Sequence, residues 1–386
     1  MEARGGISSC TCEPFRSRIA ARGWFLGPPL DAIEVYLDDT KLIGQATLNQ
    51  PRADIAAKYP EYDNPNSGWS IDTFCPHSVT SRAVVTARAC AKGAVVRKLS
   101  RSIEFVTHIE ENLNALWQLP NEVEFGGQPT LTPPHVAGEL RRRNVRVVET
   151  RIDVDDYARW LDEVDYAKNY PGYVQKFPRG PVLSRKTSQH YLAARLLDLQ
   201  AGQTYIDVAS DLSVFPDIAE TRYNVGTAYR QDLQYEPGVH GKTIGGDAAA
   251  IPLPDRSVDT MGLHCSWEHF EGDSDAGFLV EAGRLLKPGG RVCIIPLYMA
   301  DVFAVYTSLG AWQEGAYGKA PAFDEDATLF IREEFKQRCS RAYSAQALCD
   351  KVLSRCSHLY DTAVYYFTNH LERPGCPIFA LLATKR

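Results

Sequence analysis

Gly246-Asp247-Ala248-Ala249-Ala250-Ile251-Pro252-Leu253-Pro254-Asp255-Arg256-Ser257-Val258-Asp259 is the stretch that decides the fold. Gly245 and Gly246 give the backbone room beside an acidic loop. A proline-spaced turn follows, and then a buried strand over Thr260-Met261-Gly262-Leu263. Further on, Arg284-Leu285-Leu286-Lys287-Pro288-Gly289-Gly290 makes a second turn before another strand, Arg291-Val292-Cys293-Ile294-Ile295-Pro296. Phe278, Leu279, Ala282, Leu285 and Leu286 fall on one face of a helix that joins the two strands.

Working outward, the same alternation continues. Tyr191, Leu192, Arg195, Leu196 and Leu199 give a helical stripe before Gly202, Tyr205-Ile206-Asp207-Val208 reads as the first buried strand, and Ala228-Tyr229-Arg230-Gln231 as the second. Helix alternating with buried strand predicts a parallel sheet covered on both faces. Thr362–Thr368 and Pro377–Ala383 read as two closing strands separated by a Pro-Gly break.

These motifs, over 183–386, resemble class I S-adenosylmethionine-dependent methyltransferases of the type 11 kind. The resemblance implies a doubly wound, Rossmann-like α/β sheet with an antiparallel C-terminal pair, and S-adenosyl-L-methionine as cofactor. It implies ligand residues at the C-terminal strand ends, where such sheets bind. Asp207 takes the acidic position after the first strand, and Ala209, Ser210 and Asp211 follow it in the loop that holds the methionine end. The family has glycines in this loop, where the sequence has Ala209, Asp211 and Ser213. Each replacement adds a Cβ that disfavours positive φ and close ligand approach. The resemblance makes Asp232 the carboxylate for the ribose hydroxyls and Asp247 the one for the adenine amino group, with the Ala248 amide addressing the ring.

His264 and Glu268-His269 follow the fourth strand. His264 is a candidate contact to cofactor or acceptor, and His264 and His269 are the candidate proton acceptors, since a histidine near neutrality can take a proton as the methyl arrives. A packed histidine that orders the loop is the competing reading of either. Lys287-Pro288-Gly289-Gly290 reads as a structural turn.

Ahead of this region the pattern is β. Ile33, Val35 and Leu37 alternate with Glu34, Tyr36 and Asp38, and Ala83–Ala89 and Ala94–Arg97 add further strands, which points to a small all-β sandwich. The words Gly23-Trp24-Phe25-Leu26, Ile33–Asp38, Arg52–Pro60 and Asn66-Ser67-Gly68-Trp69 resemble an immunoglobulin-like module of bacterial glycan-modifying enzymes. That resemblance implies a sugar or surface-glycan acceptor, a role in polysaccharide biosynthesis and glycan-assembly partners. The expected domains are a flexible 1–21, a sandwich over 22–105, a helical linker or lid over 106–182 and the methyltransferase-like domain over 183–386. Pro120, Gly126-Gly127 and Pro133-Pro134 break the linker. Its aromatics Tyr157, Trp160, Tyr166, Tyr170 and Tyr173, with Pro178-Arg179-Gly180-Pro181 after them, either pack on the core or cover the cofactor.

The 386 residues are 44% hydrophobic and 23% charged, an ordinary globular composition, and the net charge of −6 argues against general nucleic-acid binding. The run Arg141-Arg142-Arg143-Asn144-Val145-Arg146 reads as a solvated helix face or linker, with a phosphate or anionic-glycan contact as the minority alternative. Ten cysteines scattered without CxxC spacing, and no apolar leader-like run, fit reduced thiols in a cytoplasm and no metal site. No apolar run approaches a membrane span. The sequence thus predicts a methyltransferase acting on a small-molecule or glycan acceptor. A non-catalytic binding or scaffold protein with a degenerate Gly loop is the alternative.

Overall fold

Ile33, Val35 and Leu37 are buried and their neighbours are not, as period-2 alternation requires of a strand with one wet face. In the computed structural model this pattern builds two antiparallel sheets within residues 1–118, one of two units into which the chain divides. The structure describes residues 2–13, 18–74, 82–104, 112–113, 115–177, 181–211, 213–312, 321–372 and 375–386.

The first unit contains β1 (Arg4–Glu13), β2 (Arg18–Leu26), β3 (Ala32–Leu37), β4 (Lys41–Gln45), β5 (Thr47–Gln50), β6 (Gly68–Phe74), β7 (Arg82–Ala91) and β8 (Ala94–Glu104). They form sheets of order β1-β2-β6-β5 and β4-β3-β7-β8. Ile19, Ala21, Phe25, Trp69 and Ile71 from the first sheet and Ile33, Val35, Val85, Ala87 and Leu99 from the second share one core, so the unit is a β-sandwich. The segment expected as a flexible start instead carries β1, paired with β2 from Arg4 opposite Leu26 onward. Its mixed Gly, Ser and Cys composition hides the strand, because β1 is an edge whose partner supplies most of the burial.

The second unit, residues 119–386, holds β9 (Val123–Phe125), β10 (Arg146–Thr150), β11 (Thr204–Val208), β12 (Thr227–His240), β13 (Thr243–Gly245), β14 (Val258–His264), β15 (Leu286–Ile295), β16 (Ala304–Thr307), β17 (Thr328–Ile331), β18 (Ser340–Ala342), β19 (Tyr360–Phe367) and β20 (Phe379–Lys385). Eight of them form one sheet in the order β10-β19-β20-β15-β14-β11-β12-β13. β11 is parallel to both β12 and β14, β15 is parallel to β14, and β20 is antiparallel to both β15 and β19. This is a methyltransferase-like α/β fold with the expected antiparallel closing pair.

The region 106–182 is more than a linker. β10 extends the main sheet beside β19, and β9 joins β16, β17 and β18 in a separate four-stranded sheet. Val147 and Val148 are only half-buried on this edge strand, which is why its five residues carry a weak signal. The helix Val154–Val164 and the short helices Tyr166–Asn169 and Pro171–Lys176 bury Tyr157, Trp160, Tyr166 and Tyr173 against Tyr191, Leu192 and Phe215. Pro178-Arg179-Gly180 and the side chain of Cys12 lie outside the described residues.

Candidate functional site

Parallel strands put their C-terminal ends on one edge, and the order reverses at β11, which has β12 on one side and β14 on the other. A crevice outside that reversal is where such sheets take ligands. Asp207, Asp247 and His264 stand at or just beyond strand ends, whereas Asp232, expected after its strand, lies within β12 opposite Gly245, where the register of the β12–β13 pairing shifts.

The loop after β11 keeps a glycine-like backbone without glycine. Ala209 has φ +50° and Asp211 φ +39°, both left-handed. For an L-residue this conformation costs about 1–2 kcal/mol. It persists because the loop is held by hydrogen bonds. Ala209 N donates to Gln231 Oε1 (3.2 Å), Ser210 N to Gln231 O (2.9 Å) and Asp211 N to Asp232 Oδ2 (2.9 Å). The Tyr235 hydroxyl closes the set by donating to Asp211 O over 2.6 Å. Leu212 lies outside the described residues, while Ser213 N donates back to Ser210 O.

On one side of Ala209 is a cavity of about 110 Å³ lined by Asp232, Leu233, Asp247, Ala248 and Phe270 among others. Asp232 Oδ1 accepts from Gln234 N (3.0 Å) and Oδ2 from Asp211 N, which leaves each oxygen a further lone pair. Asp247 is exposed, with Oδ1 accepting from Ala249 N (2.9 Å). Gln231 Nε2 donates to Gly246 O (2.6 Å), so one buried side chain ties both loops together.

The two halves of the deciding stretch meet through Arg284. Its guanidinium donates to Ile251 O, Leu253 O and Asp255 and is fixed by Glu281, whose carboxylate also accepts from Ile251 N. Lys287-Pro288-Gly289-Gly290, expected as a turn, lies within β15 where the register shifts between the Val258–Leu286 and Thr260–Arg291 pairs, and Lys287 pairs with both oxygens of Asp259 at 2.8 Å. Beneath the cavity, fully buried Arg341 donates to Phe270 O and Gly272 O and pairs with Asp324, which pins the segment after β14 to β18.

On the other side of Ala209 is a cavity of about 130 Å³ lined by Tyr173, Phe177, Lys186, His190, His264 and Cys265 among others. Tyr173 and Phe177 are the part of the aromatic segment that covers it, and Lys176 pairs with Asp211 at 3.0 Å. Asp207 is buried beside this cavity. Oδ1 accepts from the Tyr205 hydroxyl (3.2 Å), whereas Oδ2 makes no hydrogen bond. Burial pushes the carboxyl up to about 7, against the pull of Ser213, Tyr205, Arg230 and Lys186, with Ser213 acting from outside bonding geometry. Tyr205 fits here because β14 has Gly262, where a Cβ would stand 2.5 Å from the Tyr205 oxygen.

His264 is equally buried. Its Nε2 lies 3.3 Å from the Tyr205 oxygen and 3.6 Å from Asp207 Oδ1, and Nδ1 has no partner. Burial, with help from Lys186, pushes it down to about 3, so at neutral pH it is an uncharged hydrogen-bonding group and a weak proton acceptor. His190 is also held well below the usual histidine range by burial, and its edge meets the His264 ring. His269 lines the Asp247 cavity and donates from Nδ1 to Cys339 O (2.7 Å), a contact that orders its loop.

The structure therefore brings Ala209, Asp232, Asp247, Ala248 and His269 to one cavity, and Ala209, Ser210, Asp211 and His264 to the other, with Asp207 beneath the second. Ala209 belongs to both. Sequence reasoning missed Gln231, Tyr235, Tyr205, Gly262 and Lys186. Gln231 was readable as a polar residue closing a buried strand. Lys186 was not, because the helix stripe was read only from Tyr191 and the helix begins at Pro181.

Residues 191–294 match a family described as "Methyltransferase domain". Among solved structures, the chain is similar to the Burkholderia thailandensis 1,6-didemethyltoxoflavin-N1-methyltransferase at 13% identity, covering 62% of this chain and 94% of that one, with a TM-score of 0.33. It is similar to the chain of a Haloferax volcanii complex of the Trm112 methyltransferase activator with its putative methyltransferase at 14% identity, over 58% and 96% of the two chains, TM-score 0.34. It is also similar to Haemonchus contortus phosphoethanolamine N-methyltransferase 1 at 13% identity, over 60% and 48%, TM-score 0.35. At these scores the likeness carries no argument about the chemistry of this chain.

Proposed function

We propose that the unit 119–386 is an S-adenosylmethionine-dependent methyltransferase. The observation that carries this reading is Ala209, a residue in a glycine conformation that separates two polar cavities at the strand-order reversal. The adenosine end of the cofactor fits the Asp232 and Asp247 side. The methionine end, a zwitterion, fits the other, where Lys186 makes no ion pair among the described residues and faces a carboxylate, while the unpartnered Asp207 Oδ2 accepts from an ammonium. When bound, the sulfonium supplies an activated methyl carbon, which an acceptor lone pair takes as the carbon–sulfur pair returns to sulfur. The protein's part is placement: Gln231 and Tyr235 fix the loop, Tyr173 and Phe177 exclude water, and Asp207 orients the amino acid end.

A sugar or surface-glycan acceptor, an immunoglobulin-like identity for the sandwich and glycan-assembly partners are supported by the N-terminal sequence words alone. A cytoplasmic setting agrees with the absence, among the described residues, of a helix long and apolar enough to cross a membrane. The test is calorimetric titration with S-adenosylmethionine and S-adenosylhomocysteine. Saturable binding weakened at least tenfold by Asp247→Ala supports the enzyme. A flat titration at millimolar ligand returns the chain to the alternative, a non-catalytic binding or scaffold protein.

A further inference from the structure

A larger cavity, of about 430 Å³, shares no lining residue with the two beside Ala209. Its floor is the edge of the main sheet. Tyr365 and Phe367 alternate along β19 and so share one face, and Thr150, which ends β10, pairs with Phe367 in register. Leu192 and Leu196, one turn apart on the helix Pro181–Leu197, form one wall, and Ile152 with the start of the helix Val154–Val164 forms the other. The turn that leads into that second helix is fixed: Ile152 N donates to Asn369 Oδ1 (2.8 Å), and Asn369 Nδ2 donates back to Ile152 O (3.0 Å). A concave, preformed, largely apolar lining with a few charged groups is the character of a small-molecule site.

Two arginines also line this cavity. Arg151 pairs with Glu372 at 2.7 Å, and Arg195 pairs with Asp156 while its guanidinium carbon lies 5.6 Å from the centre of the Tyr191 ring. Among the described residues each guanidinium makes a single hydrogen bond, through Nη2, which leaves its other N–H groups open. The carboxylates are more fully used. Asp156 accepts from Arg159 at Oδ1 and from Tyr191 and Arg195 at Oδ2, and Asp153 caps its helix by accepting from Asp156 N at Oδ1. The groups left open are therefore chiefly planar N–H edges, beside a floor of rings and aliphatic side chains.

We propose that this cavity is a second ligand site, for an aromatic carboxylic acid whose ring lies on Tyr365, Leu192 and Leu196 and whose carboxylate is taken by the open N–H groups of Arg151 and Arg195. A guanidinium fork matches the plane and charge of a carboxylate. Asp153 and Asp156 line the same cavity and balance the two arginines charge for charge, so a dianionic phosphate is disfavoured. A cationic ligand meets both guanidiniums, with the Asp156 oxygens already occupied. The inference goes beyond the cofactor reading and does not depend on it.

Fluorine NMR titration of the full chain with para-fluorobenzoate tests this, with para-fluorobenzylamine and para-fluorophenyl phosphate as cationic and dianionic counterparts, each with and without S-adenosylhomocysteine. The expected result is saturable binding of the benzoate, unaffected by S-adenosylhomocysteine and weakened about tenfold by Arg195→Gln and by Arg151→Gln, as loss of one charge-assisted hydrogen bond predicts. Both side chains are exposed, so the variants keep the fold, which near-UV circular dichroism checks. Benzoate binding left unchanged by either substitution, or displaced by S-adenosylhomocysteine, overturns the proposal. So does tighter binding of the amine or the phosphate than of the benzoate, or no saturable benzoate binding up to roughly 10 mM.

Discussion

The backbone N–H of Asp211 donates to Asp232 Oδ2 across 2.9 Å, so the residue that occupies a glycine position is fastened to the carboxylate proposed to hold the ribose. The loop geometry and the adenosine side are one unit. Asp232→Ala is therefore expected to weaken S-adenosylhomocysteine by about 100-fold, more than the tenfold of a single lost hydrogen bond, because the loop relaxes as well. Asp232→Asn keeps one acceptor oxygen and should fall between. Equal losses for the two variants in calorimetry would show that the loop does not depend on this carboxylate.

Ala209→Gly should leave stability unchanged or raise it by up to about 1.5 kcal/mol. Removing a Cβ from a left-handed residue recovers about 1–2 kcal/mol, and the freer unfolded chain takes back about 0.4–1. The same change in a helix interior would cost about 1 kcal/mol, so the sign is diagnostic. Cofactor affinity should rise, since Ala209 borders both cavities. A drop in denaturation midpoint greater than that of a helical control would contradict the left-handed assignment.

Asp207 makes both stability and binding depend on pH. Its folded-state carboxyl is raised to about 7 from an ordinary value of 3.8. Between these values the unfolded chain releases the proton and the folded chain keeps it, so the contribution of Asp207 to stability falls as pH rises from about 4 to about 7, by roughly 4 kcal/mol; the buried neutral His264 and His190 act in the opposite direction, and comparison with Asp207→Asn isolates the carboxyl. An ammonium favours the ionised form, so cofactor affinity should climb over the upper part of the same range. Asp207→Asn is expected to melt higher than wild type at pH 8, to converge with it near pH 4, and to bind cofactor weakly with no pH slope. Parallel melting curves across that range would remove Asp207 from the account.

The legibility of this molecule follows its burial. β11 and β14 are almost wholly buried runs whose extents agree with the sequence reading within a few residues, whereas β15 is buried from Val292 onward and starts at Leu286, ahead of the reading, because its 287–289 segment is partly exposed. β10 and β1 were hidden because edge strands show half-buried or mixed patterns that periodicity does not resolve. In the site, Asp207 and Asp247 were readable since they stand at strand ends. The charged groups that act on Asp207 were not: Lys186 and Arg230 come from other elements, and nothing local marks them. The glycine-free loop was legible as a departure, but its retained left-handed backbone depends on Gln231 and Tyr235, and only the tertiary structure shows that.

Arg284 offers the last test, since it joins the two halves of the stretch on which the fold is recognised. Its guanidinium donates to two carbonyls, Ile251 O and Leu253 O, and pairs with Glu281 and Asp255. Lysine carries the charge but cannot reproduce a planar fork that serves four partners. Arg284→Lys is expected to cost about 1–2 kcal/mol of stability by loss of the carbonyl contacts, and Arg284→Met somewhat more, because Glu281 is then left without its cation. The displaced Ile251–Asp255 turn follows directly on Asp247 and Ala248. Affinity for free adenosine should therefore fall by about tenfold. Methionine, which probes the other cavity, should bind both variants as it binds wild type. Equal losses for adenosine and methionine would mean that Arg284 supports the whole sheet rather than the adenosine end.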